Sequence, residues 1–243
     1  MSSPLVKWDN QGTPYSIHFD DMYFCAVNGY ADALYIFCGG NRLQERFKAL
    51  DPSVQGVFTI VETGFGTGLI FSVAWKLFQE LAPSSWRLNF VSVEKFPLPV
   101  TELKRALSVW SVIKPQADQL SEKYAVPDNN IGQFDFDGGQ VRLVIVFDDI
   151  VPGLESIARE ILLTCKADAL FLDGFSPRKN PEMWTEKVFE GLARLSQKGT
   201  SLATFTVAGW VRRGLGSQGF KTQKVTGFGC KNEMLIGEYE KEL

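Results

Sequence analysis

Histidine is almost missing from this sequence. His18 is the single one in 243 residues, so no His-x-His or HExxH metal site can be written, and any Ser-His-Asp triad would have to be built on that residue. The four cysteines (Cys25, Cys38, Cys165 and Cys230) contain no CxxC pair. Neither a zinc ribbon nor a dithiol redox centre is indicated, and scattered buried thiols in a reducing compartment are the expectation. No apolar run approaches the roughly 20 residues that span a bilayer. The stretch Met1 to Asp9 has no basic segment followed by an apolar one, so no secretion signal is expected. A net charge of −3 argues against wholesale coating of nucleic acid and leaves room for a local basic patch.

What is present suits a folded domain. The chain is 45% hydrophobic, 22% charged and 13% aromatic with 19 Phe, enough for a sizeable core. The expectation is one large soluble, cytoplasmic domain, or a domain with insertions.

From residue 56 onward, short apolar runs alternate with helical patterns. The runs are Val57–Val61, Leu88–Val93, Val141–Phe147, Ala169–Leu172 and Ser201–Thr206. Near-continuous apolar runs of this length are strands covered on both faces. Ile70, Val73, Ala74, Leu77, Phe78 and Leu81 keep helical spacing between the first two runs. Trp184, Val188, Leu192 and Leu195 do so between the last two, after a start signal at Asn180-Pro181. Near the end, Lys221–Val225 and Glu233–Tyr239 flank Gly227-Phe228-Gly229 with no helix between them, which predicts an antiparallel hairpin. The expected fold is α/β and Rossmann-like, with a seven-stranded sheet closed by an antiparallel hairpin. That is the outline of a class I methyltransferase rather than a dehydrogenase.

Two segments stand outside that alternation. Residues 1–55 read as an N-terminal extension that caps the sheet, with hairpin chemistry at Asn28-Gly29 between Met22–Cys25 and Leu34–Phe37. Residues 56–243 read as the catalytic domain, interrupted near 108–140 by a stretch too long for an ordinary crossover.

Glu62-Thr63-Gly64-Phe65-Gly66-Thr67-Gly68 follows the first strand and opens a helix. A pyrophosphate-binding loop would need its third glycine at position 69, where the residue is Leu69. The G-x-G-x-G spacing suits a ligand with no phosphate at the helix end, such as the methionine portion of S-adenosylmethionine. Glu94 ends the second strand, where a carboxylate can accept from both hydroxyls of a ribose. Asp148 and Asp149 end the third, as acceptors for an adenine amino group, and strand alternation leaves open which of them faces inward. Asp173 ends the fourth, in Leu172-Asp173-Gly174-Phe175-Ser176-Pro177. There an acid can orient an amine and accept its proton while Phe175 packs on a flat base.

Pro14-Tyr15-Ser16 with Phe19-Asp20-Asp21, Glu62–Gly68, Val93–Pro97, Leu172–Phe175, Lys179-Asn180-Pro181, Met183-Trp184 and Gly227-Phe228-Gly229 together resemble one family over about residues 13–236. It is the methyltransferase domain of the bacterial bifunctional tRNA 5-methylaminomethyl-2-thiouridine biosynthesis protein. The resemblance implies S-adenosylmethionine-dependent N-methylation of 5-aminomethyl-2-thiouridine at the tRNA wobble position. The donor-binding set it implies is Glu62, Gly64, Phe65, Gly66, Thr67, Gly68, Glu94, Lys95, Asp148, Asp149 and Asp173. Asp173 is the candidate catalytic residue, with Tyr15 second as a hydroxyl that steadies the amine or covers the donor. Phe175, Arg178 and Lys179 are the candidate tRNA contacts, the last two holding anticodon phosphates. No metal and no membrane enter this scheme.

Members of that family usually carry a following FAD-dependent oxidase domain, for which this sequence has no room. The expectation is a stand-alone methyltransferase or a piece of the longer protein. Cys230-Lys231-Asn232 stands where more basic residues are expected, which weakens the case for an RNA contact there. Other candidate sources of positive charge are Arg42 and Arg46, Arg212 and Arg213, and Lys221 and Lys224. The competing readings are a small-molecule N- or O-methyltransferase and a non-catalytic RNA-binding module.

Overall fold

The computed structural model describes residues 6–10, 12–25, 28–162, 165–229 and 231–242; Met1–Leu5 and Cys230 lie outside them. The chain begins with three short antiparallel strands, β1 (Val6–Trp8), β2 (Pro14–Ser16) and β3 (Asp21–Met22). Helix α1 (Gly29–Ala33) follows, runs on as π-helix over Leu34–Gly39, and leads to α2 (Leu43–Lys48). The hairpin expected at Asn28-Gly29 is therefore a helix start. The Asn28 carboxamide accepts from the Ala31 N–H at 2.9 Å and caps α1. Ile36 and Phe37 join the core, so burial against neighbouring helices overrode a local strand-like pattern.

The main unit comprises β4 (Gly56–Glu62), α3 (Leu69–Leu81), β5 (Trp86–Val93), α4 (Val100–Leu107), α5 (Lys114–Lys123), β6 (Ile131–Phe136), β7 (Val141–Val146) and α6 (Ile150–Ser156). It ends with β8 (Ala167–Phe171), α7 (Glu186–Leu195), β9 (Ser196–Thr204), α8 (Gly209–Gln218), β10 (Phe220–Thr226) and β11 (Glu233–Tyr239). The sheet order is β10-β11-β9-β8-β4-β5-β7-β6, with β7, β5, β4, β8 and β9 parallel. Eight strands replace the expected seven. The extra one is β6, antiparallel on β7, and it comes from the segment read as a long insertion. That segment also forms α5, whose Ala117 and Leu120 enter the core, so it is ordered structure rather than a loop. The start signal at Asn180-Pro181 opens a 3-10 turn over Pro181–Trp184, and α7 itself begins only at Glu186.

Strand alternation divides the buried side chains into two layers. Ile60, Phe90, Leu143, Ile145 and Phe171 face α3, α5 and the N-terminal helices, where Phe71, Trp75 and Phe78 are fully buried. Their neighbours Val61, Val91, Val144, Val146 and Leu170 face α6, α7 and α8. Both faces are dry, which explains why these strands read as unbroken apolar runs. Of the cysteines expected to be buried, Cys38 is buried, Cys25 is partly exposed and Cys165 is exposed.

The chain builds outward from β4 to β5 on one side and later to β8 on the other. The loops after β4 and β8 thus face each other across the point where strand order reverses, the place where open sheets of this kind bind ligands. Among the described residues no helix is long and apolar enough to cross a membrane.

Candidate active site

The glycine loop is knit to both neighbouring strands. Thr63 N–H donates to Phe171 O at 3.1 Å and Phe65 N–H to Val93 O at 3.1 Å. Gly66 (φ 53°) takes a left-handed turn that glycine adopts without strain, and a Cβ there would face the Tyr23 ring at 3.5 Å. Gly66 N–H donates to Glu94 Oε2 at 2.7 Å, while Glu94 Oε1 accepts from Phe96 N–H at 2.7 Å. A carboxylate has about four lone-pair directions, so Glu94 keeps acceptor capacity toward the cavity. Burial raises its pKa and the backbone donors pull it back.

On the opposite side, Thr63 Oγ donates to Asp173 O at 2.5 Å, and Trp184 Nε1 to Phe175 O at 3.2 Å. Gly174 follows Asp173 at φ 142°, where a side chain would also press on Met183 Cε at 3.2 Å. These contacts hold the Asp173 carboxyl at the mouth of the sheet. Burial raises its pKa to about 7, against smaller opposing effects of the Gly174 backbone and Lys231.

Two cavities, of about 560 and 550 Å³, meet at Met22, Tyr23, Gly66, Asp173 and Gly174. The first runs over the ends of β4, β5 and β7 and takes in Gly64, Glu94, Lys95, Asp148, Asp149 and Phe175. The second runs toward the start of α3 and takes in Phe65, Thr67, Asp32 and Lys231. Both lie in the size range of small-molecule sites.

The first cavity thus carries acidic groups at successive strand ends. Residues 112–240 match the family model described as S-adenosyl-L-methionine-dependent methyltransferase. The chain belongs to that family. Among relatives of this methyltransferase, the tRNA 5-methylaminomethyl-2-thiouridine biosynthesis bifunctional protein MnmC of Ectopseudomonas mendocina (strain ymp) is 47% identical over 98% of this chain and 35% of its own length. The protein of the same name from Nitrosospira multiformis is 44% identical over 96% of this chain and 36% of its own. This chain thus spans about a third of the length of such relatives. The crystal structure of MNMC2 from Aquifex aeolicus superposes with a TM-score of 0.76 at 22% identity, covering all of this chain and 72% of that one, which shows a shared fold.

The residues present fit the methyl donor. Gly64 and Gly66 leave the loop without side chains where it lines the first cavity, and Glu94, Asp148 and Asp149 follow along it as acceptors. Asp149 caps α6 and pairs with Lys95 at 2.5 Å, whereas among the described residues Asp148 Oδ1 accepts the neighbouring Asp149 N–H alone, which leaves Asp148 the freer of the two. Among the described residues no group of three or more His, Cys, Asp or Glu could hold a metal ion.

Several expected site residues sit elsewhere. Glu62 is 1% exposed beneath the loop and lines neither cavity; Ser92 Oγ donates to its Oε2 at 2.7 Å, and Oε1 has no partner among the described residues. Burial raises its pKa well above the ordinary value, against the hydrogen bond from Ser92. Gly68 is the N-cap of α3 and also lines neither cavity. Tyr15 lies on the outer side of β2, donates to Asp20 Oδ1, and lines neither cavity; strand alternation turns Ser16 inward instead. That hydrogen bond pushes the Tyr15 pKa up to about 12. Arg178 and Lys179 are exposed and outside both cavities, with Lys179 paired to Asp20 at 3.1 Å. Arg46 is engaged within the fold: its guanidinium donates to Asp168 O at 3.0 Å and Ser201 Oγ at 2.8 Å and lies 4.6 Å from the Phe58 ring centroid. Lys221 and Lys224 are paired with Glu240 and Glu233.

Sequence reasoning missed His18, Phe19 and Tyr23 in the first cavity and Asp32 and Lys231 in the second. The aromatic and acidic run from Tyr15 to Phe24 was the available signal for the former. Nothing local distinguished Asp32 or Lys231, which are 199 positions apart.

Proposed function

We propose that the chain transfers a methyl group to the primary amine of 5-aminomethyl-2-thiouridine at the wobble position of tRNA. The observation that carries this is the Asp173 carboxyl at the junction of two cavities, beside Phe175, in a chain similar to MnmC proteins. Bound S-adenosyl-L-methionine supplies an electrophilic methyl group on a sulfonium sulfur. The remaining requirements fall on the chain. A primary alkylamine is largely protonated near neutral pH, and only its neutral form has a lone pair for attack. Asp173, lifted to about 7, is a stronger base than an ordinary carboxylate, takes that proton, and holds the remaining N–H groups in line. Phe175 stacks on Phe19 with centroids 4.5 Å apart and planes at 25°, the kind of flat contact a pyrimidine ring also makes.

In this reading residues 1–55 cap the site and residues 56–243 form the catalytic unit, with 108–140 buttressing its edge. Gly64, Gly66, Glu94, Lys95, Asp148 and Asp149 border the donor in the first cavity, and Phe65 and Thr67 border its extension into the second. Arg178 and Lys179 face the anticodon phosphates. The substrate requires an FAD-dependent oxidase acting earlier, which removes a carboxymethyl group to free the amine. Incubation with labelled S-adenosylmethionine and tRNA bearing or lacking the aminomethyl group tests the proposal. Label should appear only on the aminomethylated tRNA; equal labelling of both, or labelling of small amines alone, would remove the wobble amine as substrate.

A further inference from the structure

Asp32 on α1 and Lys231, on the turn between β10 and β11, meet in the second cavity with Nζ 3.3 Å from Oδ2. Asp32 is 8% exposed, and its other oxygen, Oδ1, is buried with no hydrogen-bond partner among the described residues. Leaving such an atom unpaired is costly, and more so when it carries charge. Lys231 lies 4.8 Å from the Phe205 ring centroid, and its ammonium has three N–H donors, more than its contact with Asp32 uses. The pair therefore offers one free acceptor and free donors side by side. The matching ligand carries an ammonium and a carboxylate on neighbouring atoms.

The rest of the cavity favours the same ligand. Its wall includes Thr67, Leu69 and Ile70 at the start of α3, a 13-residue helix with no side-chain cap, whose backbone dipoles favour an anion. It meets the first cavity at Gly66 and Asp173, so one elongated molecule can lie in both. An amine without a carboxylate fits less well, because the Lys231 ammonium beside Asp32 repels it.

We propose that Asp32 and Lys231 hold the amino-acid end of the methyl donor, Asp32 Oδ1 accepting from its α-ammonium and Lys231 Nζ donating to its α-carboxylate. The proposal rests on the donor's adenosine occupying the first cavity. It makes the N-terminal segment and the terminal hairpin parts of the donor site, although neither belongs to the glycine loop.

Calorimetry with two ligands tests it. S-adenosylhomocysteine carries the amino-acid end, and 5′-methylthioadenosine carries the adenosine and thioether without it. On the unaltered chain the former should bind at least tenfold more tightly, and equal affinity would overturn the proposal. Lys231→Met and the double variant Asp32→Asn/Lys231→Met should each weaken S-adenosylhomocysteine about 10–100-fold, as expected for hydrogen bonds to charged groups. Both should leave 5′-methylthioadenosine within twofold. The double variant removes both charges and so avoids a lone buried carboxylate, and circular dichroism checks its fold. Parallel losses for both ligands, or a loss confined to the Michaelis constant for tRNA, would overturn the assignment and place the pair in folding or acceptor binding. If 5′-methylthioadenosine itself fails to bind the unaltered chain, the adenosine site in the first cavity falls, and this proposal with it.

Discussion

Gly66 donates its backbone N–H to the Glu94 carboxylate at 2.7 Å, tying the glycine loop after β4 to the end of β5. One side chain thus sets the loop's curvature and borders the first cavity. Glu94→Ala should weaken S-adenosylhomocysteine by roughly 1.5–3 kcal/mol in calorimetry, the worth of hydrogen bonds to a charged group. Glu94→Gln keeps one acceptor and should lose less. An unchanged affinity in Glu94→Ala would confine the residue to loop structure.

Asp173→Asn should lower turnover by about 10²–10⁴-fold, the range of a positioned acid–base group, while donor affinity changes far less. The wild-type rate should rise with pH through about 7, where the Asp173 carboxyl ionises. That limb should vanish in the variant, whose rate recovers in part at higher pH as the amine loses its proton unaided. Near wild-type turnover in a folded variant would leave alignment as the source of rate.

The same shift has a stability consequence. The folded pKa of about 7 lies above the ~3.9 of an unfolded aspartate. Stability from the protonated form is therefore complete below about pH 4 and is lost as pH rises through 7. Asp173→Asn escapes that loss, so its melting temperature should exceed that of the wild type by more at pH 8.5 than at pH 4. A gap that narrows with rising pH would contradict the assignment.

Tyr15 and Tyr23 should separate cleanly. Tyr15 donates to Asp20 outside the cavities, so Tyr15→Phe should leave turnover within about twofold, because an exposed hydrogen bond contributes little. Tyr23 lines both cavities next to Gly66, and Tyr23→Ala should weaken donor binding at least several-fold. The reverse order of effects would restore Tyr15 to the site.

Arg178 and Arg46 are both arginines with opposite expected phenotypes. Arg178→Ala should raise the Michaelis constant for tRNA and flatten the salt dependence of binding by about one unit of slope. Arg46→Met should instead leave tRNA kinetics alone and destabilise the fold by about 2–4 kcal/mol in urea, because Asp168 loses a partner between the sheet and α2. A tRNA defect in Arg46→Met with normal stability would reverse this assignment.

The sequence by itself determined the five parallel strands, the terminal hairpin and the strand-end groups Glu94, the Asp148-Asp149 pair and Asp173. These follow from local periodicity: a strand buried on both faces must be apolar throughout, and a polar residue at its carboxyl end marks where it leaves the core. Tertiary structure alone decided which of those groups face a cavity. Glu62 reads like a ligand contact yet lies under the loop, because the strand end continues into the buried layer. Tyr15 and Ser16 are adjacent, and a period of two sends one outward and the other into the site. Asn28-Gly29 suits a hairpin turn and a helix start alike, and packing of Ile36 and Phe37 chose the helix. The Asp32–Lys231 pair joins positions 199 apart, and only closure of the terminal hairpin over α1 brings a lysine read only as a weak RNA contact against a buried carboxylate.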